Sequence, residues 1–128
     1  MPLGIEDKMH KDFANIMQKY ELYKLLNCSF WSYDASGENR DLKTGSLLKA
    51  KGLKAGQSDY KFKIIKDNIA NYIYLEFKSE KGKQSPNQKK FEKTCSAKNE
   101  FYYLVYSIKD AINILMKHDI IKNENLSY

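Results

Sequence analysis

Apolar residues recur at three- and four-residue spacing near the start of the chain. Met9, Phe13, Ile16, Met17, Tyr20 and Tyr23 form one stripe, which predicts an amphipathic helix over residues 6–26. Glu6 and His10 fall on that same stripe. Glu6 has two readings: a first-turn carboxylate favoured by the helix dipole, or a carboxylate carried with the buried face toward a site. Residues 28–33 are short, aromatic and strand-like, and Asp34-Ala35-Ser36-Gly37-Glu38-Asn39 has the composition of a loop. Residues 40–51 read as a short helix closed by Gly52, a residue suited to a left-handed C-cap.

The hydrophobic period then shortens to two. Alternating runs over 59–66 and 71–78 flank the polar-rich break Asp67-Asn68-Ile69-Ala70, the pattern of a hairpin. Pairing Lys66 with Asn71 across that four-residue loop sets Asp59 opposite Lys78, Lys61 opposite Glu76 and Lys63 opposite Tyr74. Tyr60, Phe62 and Ile64 then share a face with Ile73, Leu75 and Phe77, while Asp59, Glu76 and Lys78 share the other. A one-residue slip mixes the two sets, because side chains alternate with period two.

Ser85-Pro86-Asn87-Gln88 has the marks of a helix start: Ser as N-cap, Pro at the first helical position and Gln at the capping-box position. That helix extends to about Lys98, a strand covers 101–106, and a last helix carries Ile108, Ala111, Ile112 and Leu115. The polar tail from about 122 is expected to fray. The order α-β-β-β-α-β-α, with the short helix at 40–51 beside it, specifies an α/β fold. Its mixed β-sheet is flanked by helices in a single domain over 1–128.

Size and composition narrow the partners. At 128 residues, 15.0 kDa and 42% hydrophobic content the chain can bury one core. No apolar run nears the roughly 18 residues of a membrane span, and Met1-Pro2-Leu3-Gly4-Ile5-Glu6-Asp7 lacks a signal-peptide pattern. A cytoplasmic protein is the expectation, with no membrane partner. The net charge of +6 and pI near 9.1 suit a polyanion. Only Arg40 among the 22 basic residues is arginine, and Lys, Asn, Ile and Tyr abound, a bias that an AT-rich coding sequence also produces. The charge alone is thus a weak argument for nucleic acid. Cys28 and Cys95 are too few and too far apart for a zinc site. His10 and His118 are the only histidines, which argues against a centre built mainly on imidazole. Neither a phosphate-binding loop nor a dinucleotide fingerprint is present, so no nucleotide cofactor is expected.

The hairpin carries the chemistry. Asp59 and Glu76 are hard oxygen donors suited to Mg²⁺ or Mn²⁺, and the main-chain carbonyl of Phe77 offers a third. A cation there lowers the pKa of a bound water and acts as Lewis acid on a phosphodiester. Lys78 shares the strand face of Glu76, placed to orient the water or to stabilise charge on phosphoryl oxygens. The plain alternative is a surface hairpin with one cross-strand ion pair, worth ~0.2–1 kcal/mol. In a lysine-rich chain the Glu-x-Lys triplet alone decides nothing.

Three segments taken together are more specific. Residues 49–59 (Lys-Ala-Lys-Gly-Leu-Lys-Ala-Gly-Gln-Ser-Asp), 74–78 (Tyr-Leu-Glu-Phe-Lys) and 82–91 (Gly-Lys-Gln-Ser-Pro-Asn-Gln-Lys-Lys-Phe) resemble the VRR-NUC domain of the PD-(D/E)xK nuclease superfamily. The resemblance covers roughly 6–115 and implies a restriction-endonuclease-like core with Mg²⁺- or Mn²⁺-dependent DNA cleavage. Standalone members, as in phages, tend to be homodimers acting on branched DNA such as Holliday junctions. By this resemblance Asp59, Glu76, Lys78 and Gln88 are the catalytic set. Asp59, Glu76 and the Phe77 carbonyl hold the metal, with Glu6 joining them, through water if not directly. Gln88 keeps two readings, capping residue and site residue. The family's proline before the aspartate is Ser58 here, a change of backbone shaping rather than of a ligand. Lys54, Lys61, Lys63, Lys81 and Lys83 are candidates for phosphate contact. Two other function classes stay in view: a non-catalytic nucleic-acid-binding module on the same fold, and an assembly subunit using the tyrosine-rich strands at 72–74 and 102–106.

Overall fold

Residues 4–34, 47, 50–51, 58–80, 82–98 and 100–122 are described in the computed structural model. Among them the elements are α1 (Ile5–Leu22), β1 (Phe30–Tyr33), β2 (Tyr60–Lys66), β3 (Ile69–Phe77), α2 (Pro86–Ala97), β4 (Phe101–Val105) and α3 (Ile108–Lys117). The order is the α-β-β-β-α-β-α that the periodicities predict. The sheet runs β1-β2-β3-β4, antiparallel across its first two pairings and parallel between β3 and β4, which makes it mixed. A parallel pair needs a crossover, and α2 supplies it. Of the short helix expected over 40–51, only Leu47, Ala50 and Lys51 are described, with helical conformation at the first two. The rest of it lies outside the described residues, as do the glycine-rich approach 52–57 and the tail from 123.

The hairpin register differs from the expectation by two residues. Lys66 pairs with Ile69, not Asn71, so the turn is only Asp67-Asn68. Both turn residues have positive φ, 54° and 64°, the conformation of the two-residue turn whose twist matches the flanking strands. Asp and Asn tolerate this region better than other residues with a Cβ. Ile69 and Ala70 therefore belong to β3. Because the slip is even, no side chain changes face: Tyr60 and Phe62 still share theirs with Ile73, Leu75 and Phe77, all five buried. The partners across the hairpin do change, with Lys61 opposite Tyr74 and Lys63 opposite Tyr72.

The buried face of the sheet packs against α1 and α3. Phe13, Met17 and Tyr20 come from α1, Ala111, Ile112 and Leu115 from α3, and Val105, Ile120 and Ile121 complete the core. On the opposite face, Phe91 of α2 sets its ring edge against Tyr74, 5.0 Å between centroids, and against Tyr102 at 5.9 Å. Helix α1 stops at Leu22, short of the expected 26, because Lys24 turns left-handed at φ 58°. The Leu25 N–H then donates to the Tyr20 carbonyl and the Lys24 N–H to that of Glu21, the paired bonds of a Schellman cap. Asp119, φ 59°, ends α3 the same way, with bonds from Ile120 to Leu115 and from Asp119 to Met116. Asn27 ties the two caps together, its amide bonding the Ile120 carbonyl and its side chain that of Asp119. Among the described residues no helix is long and apolar enough to cross a membrane.

The turn is directly testable by thermal denaturation. Asn68→Gly keeps the left-handed position and is expected to change stability by no more than about 0.5 kcal/mol. Asn68→Val forces a β-branched residue into it and is expected to cost about 1–2 kcal/mol. Equal melting temperatures for the two variants would contradict the two-residue turn.

Candidate metal and active site

Antiparallel pairing brings the start of β2 beside the carboxyl end of β3. One step beyond the Tyr60–Leu75 pair, Asp59 stands opposite Glu76, not opposite Lys78 as the longer loop implied. Glu76 sits in a central strand, paired on its other side with Leu104, and is only 2% exposed. The Asp59 side chain is 16% exposed. The Phe77 N–H donates to Asp59 Oδ2 at 2.7 Å. In an extended strand the N–H and C=O of one residue point to the same side, so the Phe77 carbonyl is also directed toward the Asp59 side. The Asp59 main chain is held in turn: its carbonyl accepts from the Asp34 N–H at 2.7 Å, and the buried Ser58 hydroxyl donates to the Tyr60 carbonyl at 3.0 Å. A side-chain hydrogen bond at Ser58 thus fastens the chain just before the aspartate.

Two carboxylates opposed in a buried place cannot both ionise cheaply. Burial, then the charge of Asp59, pushes the Glu76 carboxyl up to about 9. Burial likewise raises Asp59, against the lowering effects of a hydrogen bond to Glu76 and of the His10, Phe77 and Lys78 dipoles and charges. Both shifts favour a proton held within the pair near neutral pH, with Glu76 the more strongly raised. Its Oε1 is buried with no hydrogen-bond partner.

Helix α1 reaches this strand end with two side chains one turn apart. Glu6 Oε1 accepts from the Ser79 N–H at 2.9 Å, just past β3, and its charge adds to the rise at Glu76. His10 Nε2 lies 3.6 Å from Asp59 Oδ2, and the Tyr60 hydroxyl donates to the His10 carbonyl at 3.1 Å. The sequence marked His10 only as a residue on the apolar stripe. Its neighbourhood depends on how α1 crosses the strand ends, which no spacing encodes. His118, the other histidine, is a packing residue at the end of α3, its Nε2 2.6 Å from the Tyr103 hydroxyl. Burial pulls its pKa down.

Lys78 is half-buried and acts on both carboxylates, lowering each, without forming an ion pair with either. Gln88 is engaged locally: its Oε1 accepts from the Ser85 N–H at 2.8 Å, and its own N–H donates to Ser85 Oγ. Both hydrogen bonds belong to the capping box of α2. Lys61 and Lys63 are half-buried on β2 and Lys83 is exposed, while Lys54 and Lys81 lie outside the described residues. Tyr102, Gln84 and Glu92 form a neighbouring polar group that the sequence did not single out, with Gln84 Nε2 3.2 Å from Glu92 and 3.5 Å from the Tyr102 hydroxyl. The charges of Glu76, Glu92 and Asp59 reinforce the burial that raises the Tyr102 phenol.

The donor set selects the cation it can hold. Among the described residues no cluster of three His, Cys, Asp or Glu side chains is arranged to cage a metal. Two carboxylates, one with an orphaned buried oxygen, and a main-chain carbonyl are a partial oxygen shell. That suits Mg²⁺ or Mn²⁺, which keep several waters and bind through one or two carboxylates; it does not suit a soft, fully caged ion. No family model matches the chain, and no curated protein and no solved structure matches it either.

The carboxylate pair has a measurable consequence for stability. Glu76 holds its proton in the folded chain from its ordinary 4.5 up to about 9, whereas the unfolded chain has lost it. Its contribution is therefore full below pH 4.5 and is lost as pH rises through that window. Glu76→Gln is neutral at every pH. It should stabilise the metal-free protein little near pH 4.5 and on the order of 2 kcal/mol near pH 8, read as a melting temperature several degrees higher. A pH-independent difference between the two proteins would refute the buried pair.

Proposed function

We propose that this chain is a metal-dependent DNA nuclease of the VRR-NUC type, on a restriction-endonuclease-like core. The observation that carries the reading is the opposed Asp59–Glu76 pair, buried at a strand end, with an unpartnered oxygen on Glu76 and Lys78 two residues on. Asp59, Glu76 and the Phe77 carbonyl would hold Mg²⁺ or Mn²⁺, with Glu6 added directly or through water. When bound, the cation supplies Lewis acidity and a water acidic enough to serve as nucleophile near neutral pH. To hold the cation, Glu76 would release its proton to solvent, leaving Asp59 and Glu76 both as carboxylates. The Lys78 ammonium orients the attacking water or holds the charge that develops on the phosphoryl oxygens. Lys61, Lys63 and Lys83, in a chain of net charge +6, supply contacts to the sugar–phosphate backbone. Branched DNA such as a Holliday junction is the proposed substrate, and a homodimer the proposed working form, in an intracellular, phage-like setting. A junction presents two strands to cut, and one 15.0 kDa domain offers only a short binding track.

Cleavage of labelled duplex, flap and four-way-junction DNA tests this. Cutting is expected with Mg²⁺ or Mn²⁺ and not with EDTA. Asp59→Ala and Lys78→Ala should each lower the rate about 10²-fold or more while DNA binding persists. Metal-independent cutting, or full activity in both variants, sinks the mechanism. Binding without cleavage of any substrate favours the non-catalytic module.

Metal affinity should also depend on pH. The proton on Glu76 competes with the cation, so Mn²⁺ binding measured by calorimetry is expected to tighten as pH rises and to level off towards about 9. About one proton should be released per metal bound near neutral pH. Affinity that is flat with pH contradicts a protonated Glu76.

A further inference from the structure

We infer that His10 is a positioning residue for Asp59: an N–H at Nε2 holds one carboxylate oxygen and so turns the other toward the cation. This inference rests on the metal reading above and extends it to a residue outside the Asp/Glu/Lys pattern.

The two oxygens of Asp59 are not equivalent. Oδ2 receives the Phe77 N–H at 2.7 Å and faces His10 Nε2 at 3.6 Å. Two protein groups thus converge on the same oxygen, from β3 on one side and α1 on the other. That leaves Oδ1 as the donor available to a metal shared with Glu76. The 3.6 Å separation is ion-pair range, longer than a hydrogen bond, and such contacts commonly tighten only when the site is loaded.

The imidazole is held in place independently of Asp59. Its ring is caged by Tyr33, Tyr60 and Phe77, with centroids 5.5, 5.5 and 5.3 Å away. The Tyr60 hydroxyl fixes the main chain of the same residue, and Glu6, one turn earlier, is fastened to the Ser79 amide. His10 Nδ1 is buried without a hydrogen-bond partner. A purely packing role would not place a polar ring here, since the cage would take Phe at lower desolvation cost. The polar ring is explained if its other nitrogen works on Asp59. Groups one layer behind a metal ligand commonly set affinity by 10–100-fold.

The substitutions follow from the cage. His10→Phe keeps an aromatic ring and removes the donor; His10→Gln restores an N–H near the same place. Mn²⁺ affinity is measured by calorimetry without DNA, beside wild type and Asp59→Ala, with melting temperatures of the metal-free proteins. His10→Phe is expected to melt within a few degrees of wild type yet bind Mn²⁺ about tenfold more weakly, and His10→Gln to recover most of the loss. Wild-type affinity in His10→Phe overturns the inference, as does His10→Gln binding no better than His10→Phe. A second readout needs no metal. The imidazole ¹⁵N spectrum should show the proton on Nε2 in wild type and a shift toward the other tautomer in Asp59→Ala. A wild-type ring protonated only at Nδ1 overturns the inference whatever the metal does. If wild type and Asp59→Ala both fail to bind Mn²⁺, the metal reading fails and this one with it. If wild type binds and Asp59→Ala does not, while His10→Phe equals wild type, the metal reading stands and the role of His10 falls.

Discussion

Everything at the candidate site follows from two carboxylates facing each other at the ends of adjacent strands, away from water. Asp59 and Glu76 are brought together by the pairing of β2 with β3, which ends one step away at Tyr60–Leu75, not by mutual attraction. The fold has to make their proximity tolerable. It does so with a main-chain amide on Asp59, an imidazole beside the same oxygen, an ammonium within electrostatic reach and a raised Glu76 pKa that favours its neutral form. Each of these offsets part of the repulsion and none removes it, because Glu76 Oε1 still has no partner. On the proposed reading, a divalent cation placed between the two would do what the protein's own groups do not. Binding to the folded state alone also feeds back as stability. The pair is thus a local cost to the fold, one that a bound hard cation would turn into a gain under the proposed function.

Much of the fold was legible because its signals are local. The order of elements follows from the change of period, first near 3.6 and then 2, and the start of α2 from Ser85-Pro86-Asn87-Gln88 alone. The turn was not legible at residue level. Asp67-Asn68-Ile69-Ala70 has two polar residues followed by two apolar ones, and the pattern does not say whether the apolar pair closes the loop or opens the strand. The backbone decides it, since Asp67 and Asn68 both accept positive φ. Burial had already restricted any error to an even number of residues, so the faces were right while the partners were wrong. The helix ends were hidden for a related reason: Lys24 and Asp119 occupy left-handed caps where glycine is the recognisable residue.

The candidate site divides along the same line. Asp59, Glu76 and Lys78 could be gathered from sequence because one hairpin carries all three, and the even slip changed only which of them stand opposite one another. Gln88 illustrates a residue with two local meanings, and the hydrogen bonds it makes are the capping ones. His10 had no comparable signal. Its contact with Asp59 is made across 49 positions of chain, through the packing of α1 on the sheet, and a lone histidine on an apolar stripe ordinarily means nothing more than core.

The approach of α1 also explains why the first turns of that helix and the loop after β3 constrain each other. Gly82 lies against the docked Glu6: a Cβ there would stand 3.3 Å from Glu6 Oε1 and 3.2 Å from the Ser79 carbonyl. Glu6 reaches the Ser79 amide only because that loop can come so close. Further along the same helix, Phe13 and Met17 bury themselves against the sheet. One face of α1 therefore supplies core contacts at its middle and polar contacts to the strand ends at its start. A shift of the helix that improved packing at Phe13 would move His10 and Glu6 off their partners. Position along the helix is thus set by two demands at once, and the polar one is local to the carboxylate pair.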